Sequence, residues 1–240
     1  MTDKSKIKEL KKELSFLYRV AQSVHSLEID ELLKEIVTIA SEVTHADSCL
    51  IYIFDAKKKE LILRASKNPH RYLLKKITMK LGEGITGWVA KVRKPVAIRE
   101  GANKDSRFKY FRSLPEDRFE AFLSVPIVNK HGIVGVINVQ HKRKHVHCEM
   151  EINLLSAIGR LIGGAIENAL LVEESLALKE ALEIRKLIER AKGILMQKKQ
   201  LSEEKAYKIL QKESMNSRKT LKEVAEAIIL ADKFKLALDR

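Results

Sequence analysis

Cysteine is nearly missing from this chain of 240 residues: there are two, Cys49 inside an apolar run and Cys148 just ahead of a helical one. Two isolated cysteines form no disulfide framework and read as reduced packing residues. Long hydrophobic runs are missing as well. The nearest to a membrane span, Leu154 to Val172, is broken by Arg160, Glu167 and Asn168, a pattern that suits a helix between protein surfaces. The N-terminus interleaves Lys4, Lys6, Lys8, Lys11 and Lys12 with Asp3, Glu9 and Glu13, without the apolar core or small-residue cleavage site of a signal peptide, so a cytoplasmic location is expected. Also lacking are a phosphate-cradling glycine loop, an HExxH pair, a nucleophile elbow and a kinase core. No enzyme is expected, since a thiol mechanism would have to rest on Cys49 or Cys148.

What the chain has in excess is positive charge, 46 Lys and Arg against 32 Asp and Glu, a formal net of +14. Its position matters more than its size. From Arg185 to Lys222 there are twelve Lys or Arg and four Asp or Glu, so more than half of the surplus lies in that stretch, where a polyanionic partner is expected.

The periodicity of the apolar residues orders the elements. Ile7, Leu10, Leu14, Leu17, Ala21 and Val24 recur at steps of three and four, as do Leu32, Leu33, Ile36, Ile39 and Ala40, so two amphipathic helices open the chain. The runs 48–55 and 60–65, then 121–128 and 133–140, are rich in β-formers and joined by polar turns, which predicts two hairpins. Gly82, Gly84 and Gly87 bracket a short helix over 85–92 that must stop before Pro95. The polar stretch 100–117 reads as loop with a helical turn. From Glu149 onward the pattern is helical: one long helix, then two short ones over 203–213, with Ser202 as N-cap, and 219–234. Ile158, Ile162, Ala165, Ala169, Val172 and Leu176 form a heptad-like seam, which predicts pairing with the same helix of a second chain and hence a homodimer.

Residues 15 to 170 resemble a GAF domain. The resemblance rests on Ala46-Asp47-Ser48-Cys49-Leu50-Ile51-Tyr52, on Gly82-Glu83-Gly84-Ile85-Thr86-Gly87-Trp88-Val89-Ala90, on Asn103 with Asp105 to Phe108, and on Ser124-Val125-Pro126-Ile127 with Gly135-Val136-Ile137-Asn138-Val139. It implies an α+β fold, an antiparallel sheet of five or six strands with flanking helices and a ligand cavity on one side. The family's ligands vary widely, so the small molecule is left unnamed and no cofactor is assigned. Some GAF relatives are thiol reductases, whose cysteine arrangement differs from the one here. Residues 175 to 235 resemble an ANTAR domain through Ile188-Glu189-Arg190-Ala191-Lys192-Gly193-Ile194-Leu195-Met196, Ser202, Ala206, Leu210, Ser214-Met215, Arg218, Leu221 and Val224-Ala225. That resemblance implies a three-helix all-α domain, reached through a helical linker, that binds paired RNA stem-loops in transcription antitermination. The expected organisation is an N-terminal helical extension over 1–14, the sensor domain over 15–170, and the linker with the RNA-binding domain over 171–240.

The candidate RNA contacts are Arg190, Lys192, Gly193, Arg218, Lys219 and Lys222: cations for phosphates, and a glycine that permits close approach of a backbone. Arg190 and Lys192 are expected to face solvent; the plainer alternative is that they solvate a helix face while Gly193 serves packing. Aromatics in this part are few, chiefly Tyr207 and Phe234, so base stacking is not the expected readout. The candidate ligand contacts are Tyr52, Phe54, Trp88, Phe111, Phe122 and Asn138, against the alternative that aromatics in a small α+β domain are ordinary core. His141, His145, His147 and Cys148 are close in sequence and have zinc-ligand chemistry, but Lys142, Arg143 and Lys144 intervene, so no metal is assigned. The second reading is a ligand-sensing module whose helical tail docks on a protein.

Overall fold

Alternation with a period of two along the longer apolar runs produces strands whose two faces each carry a core. The computed structural model describes residues 3–23, 28–68, 72–111 and 118–238; Val24, His25, His70 and the side chain of Ile7 lie outside the described residues. Two compact units emerge, Met1–Leu170 and Leu171–Arg240.

In the first unit, β1 (Ser48–Asp55), β2 (Glu60–Ser66), β3 (Thr78–Lys80), β4 (Val96–Ile98), β5 (Ala121–Asn129) and β6 (Gly132–His141) form one sheet in the order β3-β2-β1-β6-β5-β4. Every pairing is antiparallel. The turns follow side-chain chemistry: Asp55 accepts from the amides of Lys57 and Lys58 at 2.9 and 3.0 Å, and Asn129 from those of His131 and Gly132 at 2.8 and 2.9 Å.

One face of the sheet, with Ile51, Ile53, Leu123, Val125, Ile127, Ile137 and Val139, packs against helices α1 (Asp3–Ser23), α2 (Ile29–Thr44) and the first part of α4 (Glu149–Lys199). Helix α4 lies very close to β5. A Cβ on Gly159 would fall 2.6 Å from the carbonyl oxygen of Pro126, and one on Gly163 would overlap that of Val128. The opposite face, with Leu50, Tyr52, Leu61, Leu63, Phe122 and Val136, is covered by α3 (Gly84–Val92) and by Leu73, Ile77, Phe108 and Phe111.

Two expectations need correction. The apolar stripe of α1 does not run through Leu10 and Leu14, which are exposed; Phe16, Leu17 and Val20 pack on the core instead, where Arg19 also bonds Glu35 and Glu42 of α2. The seam of α4 is also divided. Ile158, Ile162 and Ala169 are buried under the sheet, while Val172 and Leu176 are exposed, so its first half belongs to the core of the unit rather than to a partner chain. By length and composition α4 is apolar enough to cross a membrane, and Ile158, Ile162 and Ile166 within it are buried in the core of this unit.

In the second unit the end of α4 packs with α5 (Glu203–Ser217) and α6 (Leu221–Leu238) around Ala191, Leu195, Ala206, Leu210, Val224, Ala225 and Ile229. Helix α6 begins two residues later than expected. Thr220 and Glu223 form a reciprocal cap, Thr220 N to Glu223 Oε2 at 2.7 Å and Glu223 N to Thr220 Oγ1 at 3.2 Å.

Candidate functional site

Between α3 and the sheet lies a small cavity lined by Tyr52, Thr86, Phe108, Phe111, Phe122 and Asn138, among others. Its polar floor is a relay of buried side chains. Ser124 Oγ donates to Asn138 Oδ1 at 2.7 Å, and Asn138 Nδ2 donates to Thr86 Oγ1 at 2.8 Å, which fixes the amide in a site where an unmet polar atom would be costly. The roof is the segment after the 3-10 turn Ala102–Lys104. Asp105 grips Arg107 through Nε at 2.9 Å and Nη2 at 2.7 Å, a fork that holds its carboxyl below the usual range and sets the guanidinium 4.9 Å from the centre of the Trp88 ring. Next along, Lys109 Nζ bonds Glu83 at 2.7 Å and lies 4.8 Å from the centre of Phe111; the bond from Lys109, then that from the Lys80 amide, lowers the Glu83 pKa.

The cavity encloses about 20 Å³, room for roughly one water. Of the residues singled out from the sequence, Tyr52, Phe111, Phe122 and Asn138 line it. Phe54 and Trp88 pack at the edge of the same core without lining it. Met79, Thr86, Phe108, Lys109 and Gln140 line it and were missed. Thr86 was legible only as part of the glycine-bracketed helix, whereas Phe108 and Lys109 lie in a stretch with no period to place them.

The basic residues of the second unit separate into two kinds. Arg190, Arg218 and Lys219 are exposed and Lys222 is half-buried, and none of the four has an ion-pair partner among the described residues. Arg218 ends α5 in the left-handed region at φ 56°, which turns the chain into the cap of α6. Lys192 is different: it is buried, bonded to Glu203 at 2.7 Å and Glu189 at 2.9 Å, and both carboxylates, Glu203 first, raise its pKa. The expectation that Lys192 faces solvent is therefore wrong. Its stem lies along the helix pair and its ammonium ties α4 to the first turn of α5. Gly193 does not serve packing either, for a Cβ there would meet no atom within 4 Å.

A profile of the GAF domain matches residues 28–166, more than half of the chain, and one of the ANTAR domain matches residues 176–229. The chain belongs to the GAF domain family, with an ANTAR domain following. A protein of Escherichia coli K12 described as a phosphoenolpyruvate-dependent phosphotransferase system is 29% identical over 121 residues, half of this chain and 16% of that relative's length. A protein of the same description from Salmonella typhimurium matches to the same extent. The chain thus spans a small part of these curated relatives, and the likeness concerns their GAF portion. Among solved structures, the GAF domain of an Acinetobacter phosphoenolpyruvate-protein phosphotransferase has a TM-score of 0.60 and 25% identity over 68% of this chain and 98% of its own. The corresponding domain from Coxiella burnetii has a TM-score of 0.62 at 24% identity, covering 68% and 96%.

GAF domains are sensing modules and ANTAR domains are RNA-binding antitermination modules, so the chain joins a small-molecule sensor to an RNA-binding unit. The thiol of Cys49 in the GAF domain is unsuited to an activated nucleophile, for burial pushes it up to about 12.

Proposed function

We propose that the protein is a cytoplasmic, ligand-responsive transcription antiterminator, which holds paired stem-loops of a leader transcript through its ANTAR domain. The observation that carries this reading is the set of cations without an ion-pair partner among the described residues within that match, Arg190, Arg218, Lys219 and Lys222. Free cations are the ones that can exchange counterions for phosphates. Gly193, three residues from Arg190 and open on its outer side, leaves room for a nucleic acid backbone to approach α4.

In the GAF domain, the ligand is a small molecule that uses the Thr86–Asn138 relay as its polar anchor and the rings of Tyr52, Phe111 and Phe122 as its apolar wall. Because the cavity is only about 20 Å³, far below the roughly 300 Å³ of an ordinary ligand site, binding displaces the Phe108 to Phe111 segment. The working form is a homodimer. Leu161, Leu171, Leu178 and Leu182 are 44%, 57%, 65% and 52% exposed and fall in one stripe of α4 at heptad spacings, together with Gly164, whose outer side is also open. Pairing this stripe with its copy buries it.

The test is binding of the full chain to an RNA with two short stem-loops, titrated with salt. A steep fall of affinity with salt is expected, with a slope that shrinks by about one for each phosphate-contacting cation replaced by alanine. Salt-insensitive binding, or none, would favour a helical tail that docks on protein.

A further inference from the structure

A second site lies at the end of β6, away from the cavity. His141 closes that strand, His145 and His147 follow in the connector to α4, and Glu151 stands in the first turn of α4. Seven residues of sequence thus return three imidazoles to one point: the ring centres of His141 and His145 are 3.9 Å apart, of His145 and His147 4.7 Å, and of His141 and His147 5.2 Å. One ring nitrogen from each lies within 4.8 Å of the others. Glu151, itself buried, brings Oε2 to 3.3 Å from His145 Nε2 and 3.7 Å from His147 Nδ1.

The cluster leaves its hydrogen bonding unmet. The side chain of His147 is 0% exposed, and both its nitrogens, with Nε2 of His141, are buried without a hydrogen-bond partner among the described residues. Such atoms are rare in native interiors and call for a ligand. Burial, reinforced by the neighbouring imidazoles, lowers His141 to about 4 and His147 to about 3. Of the intervening cations, Lys144 is paired with Glu100 at 2.7 Å and the Lys142 ammonium lies 5.8 Å from the centre of Phe119. Lys67, at the end of β2, bonds the carbonyl of Ala46. Asp47, which accepts the Lys142 amide at 2.8 Å, lines the surface cleft that leads to His141 and His145.

We propose that His141, His145, His147 and Glu151 form a binding site for a divalent first-row transition ion of the zinc class. Three imidazoles and one carboxylate are the nitrogen-rich, four-donor set that such an ion prefers over calcium or magnesium. Ligand bonds of roughly 2.0–2.1 Å in a tetrahedron place nitrogens about 3.3 Å apart, so the rings must draw together. His145, the half-exposed member, makes that movement by leaving its stack on His141. The bound ion clasps the end of β6 to the first turn of α4, the helix that continues into the ANTAR domain.

The test uses the full chain stripped with chelator, with Zn²⁺ and then Co²⁺ as probes. One Zn²⁺ per chain by equilibrium dialysis, a raised Tm on adding Zn²⁺, and the visible bands of four-coordinate Co²⁺ are expected. His145→Ala, at a half-exposed position, should retain the wild-type circular dichroism yet weaken Zn²⁺ binding by about a hundredfold and lose the Co²⁺ bands; His147→Asn should do the same. A wild-type chain that binds no Zn²⁺, or one whose stoichiometry and affinity are unchanged in both variants, would overturn the proposal.

Discussion

Arg190 and Lys192 stand two positions apart on α4 and carry opposite roles. The guanidinium of Arg190 faces solvent, while the ammonium of Lys192 is held by Glu203 and Glu189. Arg190→Ala is expected to weaken stem-loop binding about tenfold and to lower the salt slope by about one, with Tm unchanged. Lys192→Ala leaves two carboxylates without their shared cation, and it should lower Tm while leaving the salt slope unaltered; fluorescence anisotropy across salt, with a thermal melt, separates the two. Gly193→Ala adds a Cβ that meets nothing within the chain and improves helix propensity by up to about 1 kcal/mol. It should therefore raise Tm slightly yet weaken RNA binding. Unchanged binding would show that no backbone approaches there. The sequence showed that this stretch is basic and helical but not which cations are free, because that depends on which carboxylates the next helix brings back, and Glu203 lies beyond a turn.

At the scale of elements, the long, regular pieces were readable. Helix α2, the strands β1, β2, β5 and β6, and the succession of helices after Glu149 follow from period and turn chemistry, with ends displaced by a residue or two in the strands and α2 and by four at the C-terminal ends of α5 and α6. Strands β3 and β4 have three residues each, too few for an alternation to register. The role of α4 was misjudged in part, since a seam at heptad spacing looks alike whether a sheet or a second helix covers it. The glycines of this helix make a test of the distinction. Gly163→Ala places a Cβ against the backbone of Val128 and should destabilise the GAF domain by roughly 1–3 kcal/mol, by analogy with overpacked cores, whereas Gly164→Ala, open on its outer side, should not destabilise it. Leu171→Asp with Leu178→Asp should convert a dimer into a monomer by light scattering without loss of helix content. A double variant that stays dimeric would place the interface elsewhere.

On the scale of the whole molecule, one continuous helix, Glu149–Lys199, contributes to the core of the GAF domain and to that of the ANTAR domain. In the function proposed above, a ligand that displaces the roof segment of the cavity alters RNA binding through this helix by changing how two copies pair. Four of the six residues expected to contact a ligand line the cavity, and the overall α+β plan was legible; the size of the cavity was not, because it depends on how tightly Phe108 and Phe111 close over the sheet. The account turns on two RNA-binding domains acting together, and linking two sites raises apparent affinity by about 10²–10⁴ when the geometry fits. The most direct measurement is the affinity of the full chain for a two-stem-loop RNA beside that for a single stem-loop, at one physiological salt concentration, for wild type and for Leu171→Asp with Leu178→Asp. A preference of at least about a hundredfold for the two-loop RNA in the wild type, lost in the variant, is predicted; equal affinity of the wild type for both RNAs would contradict it.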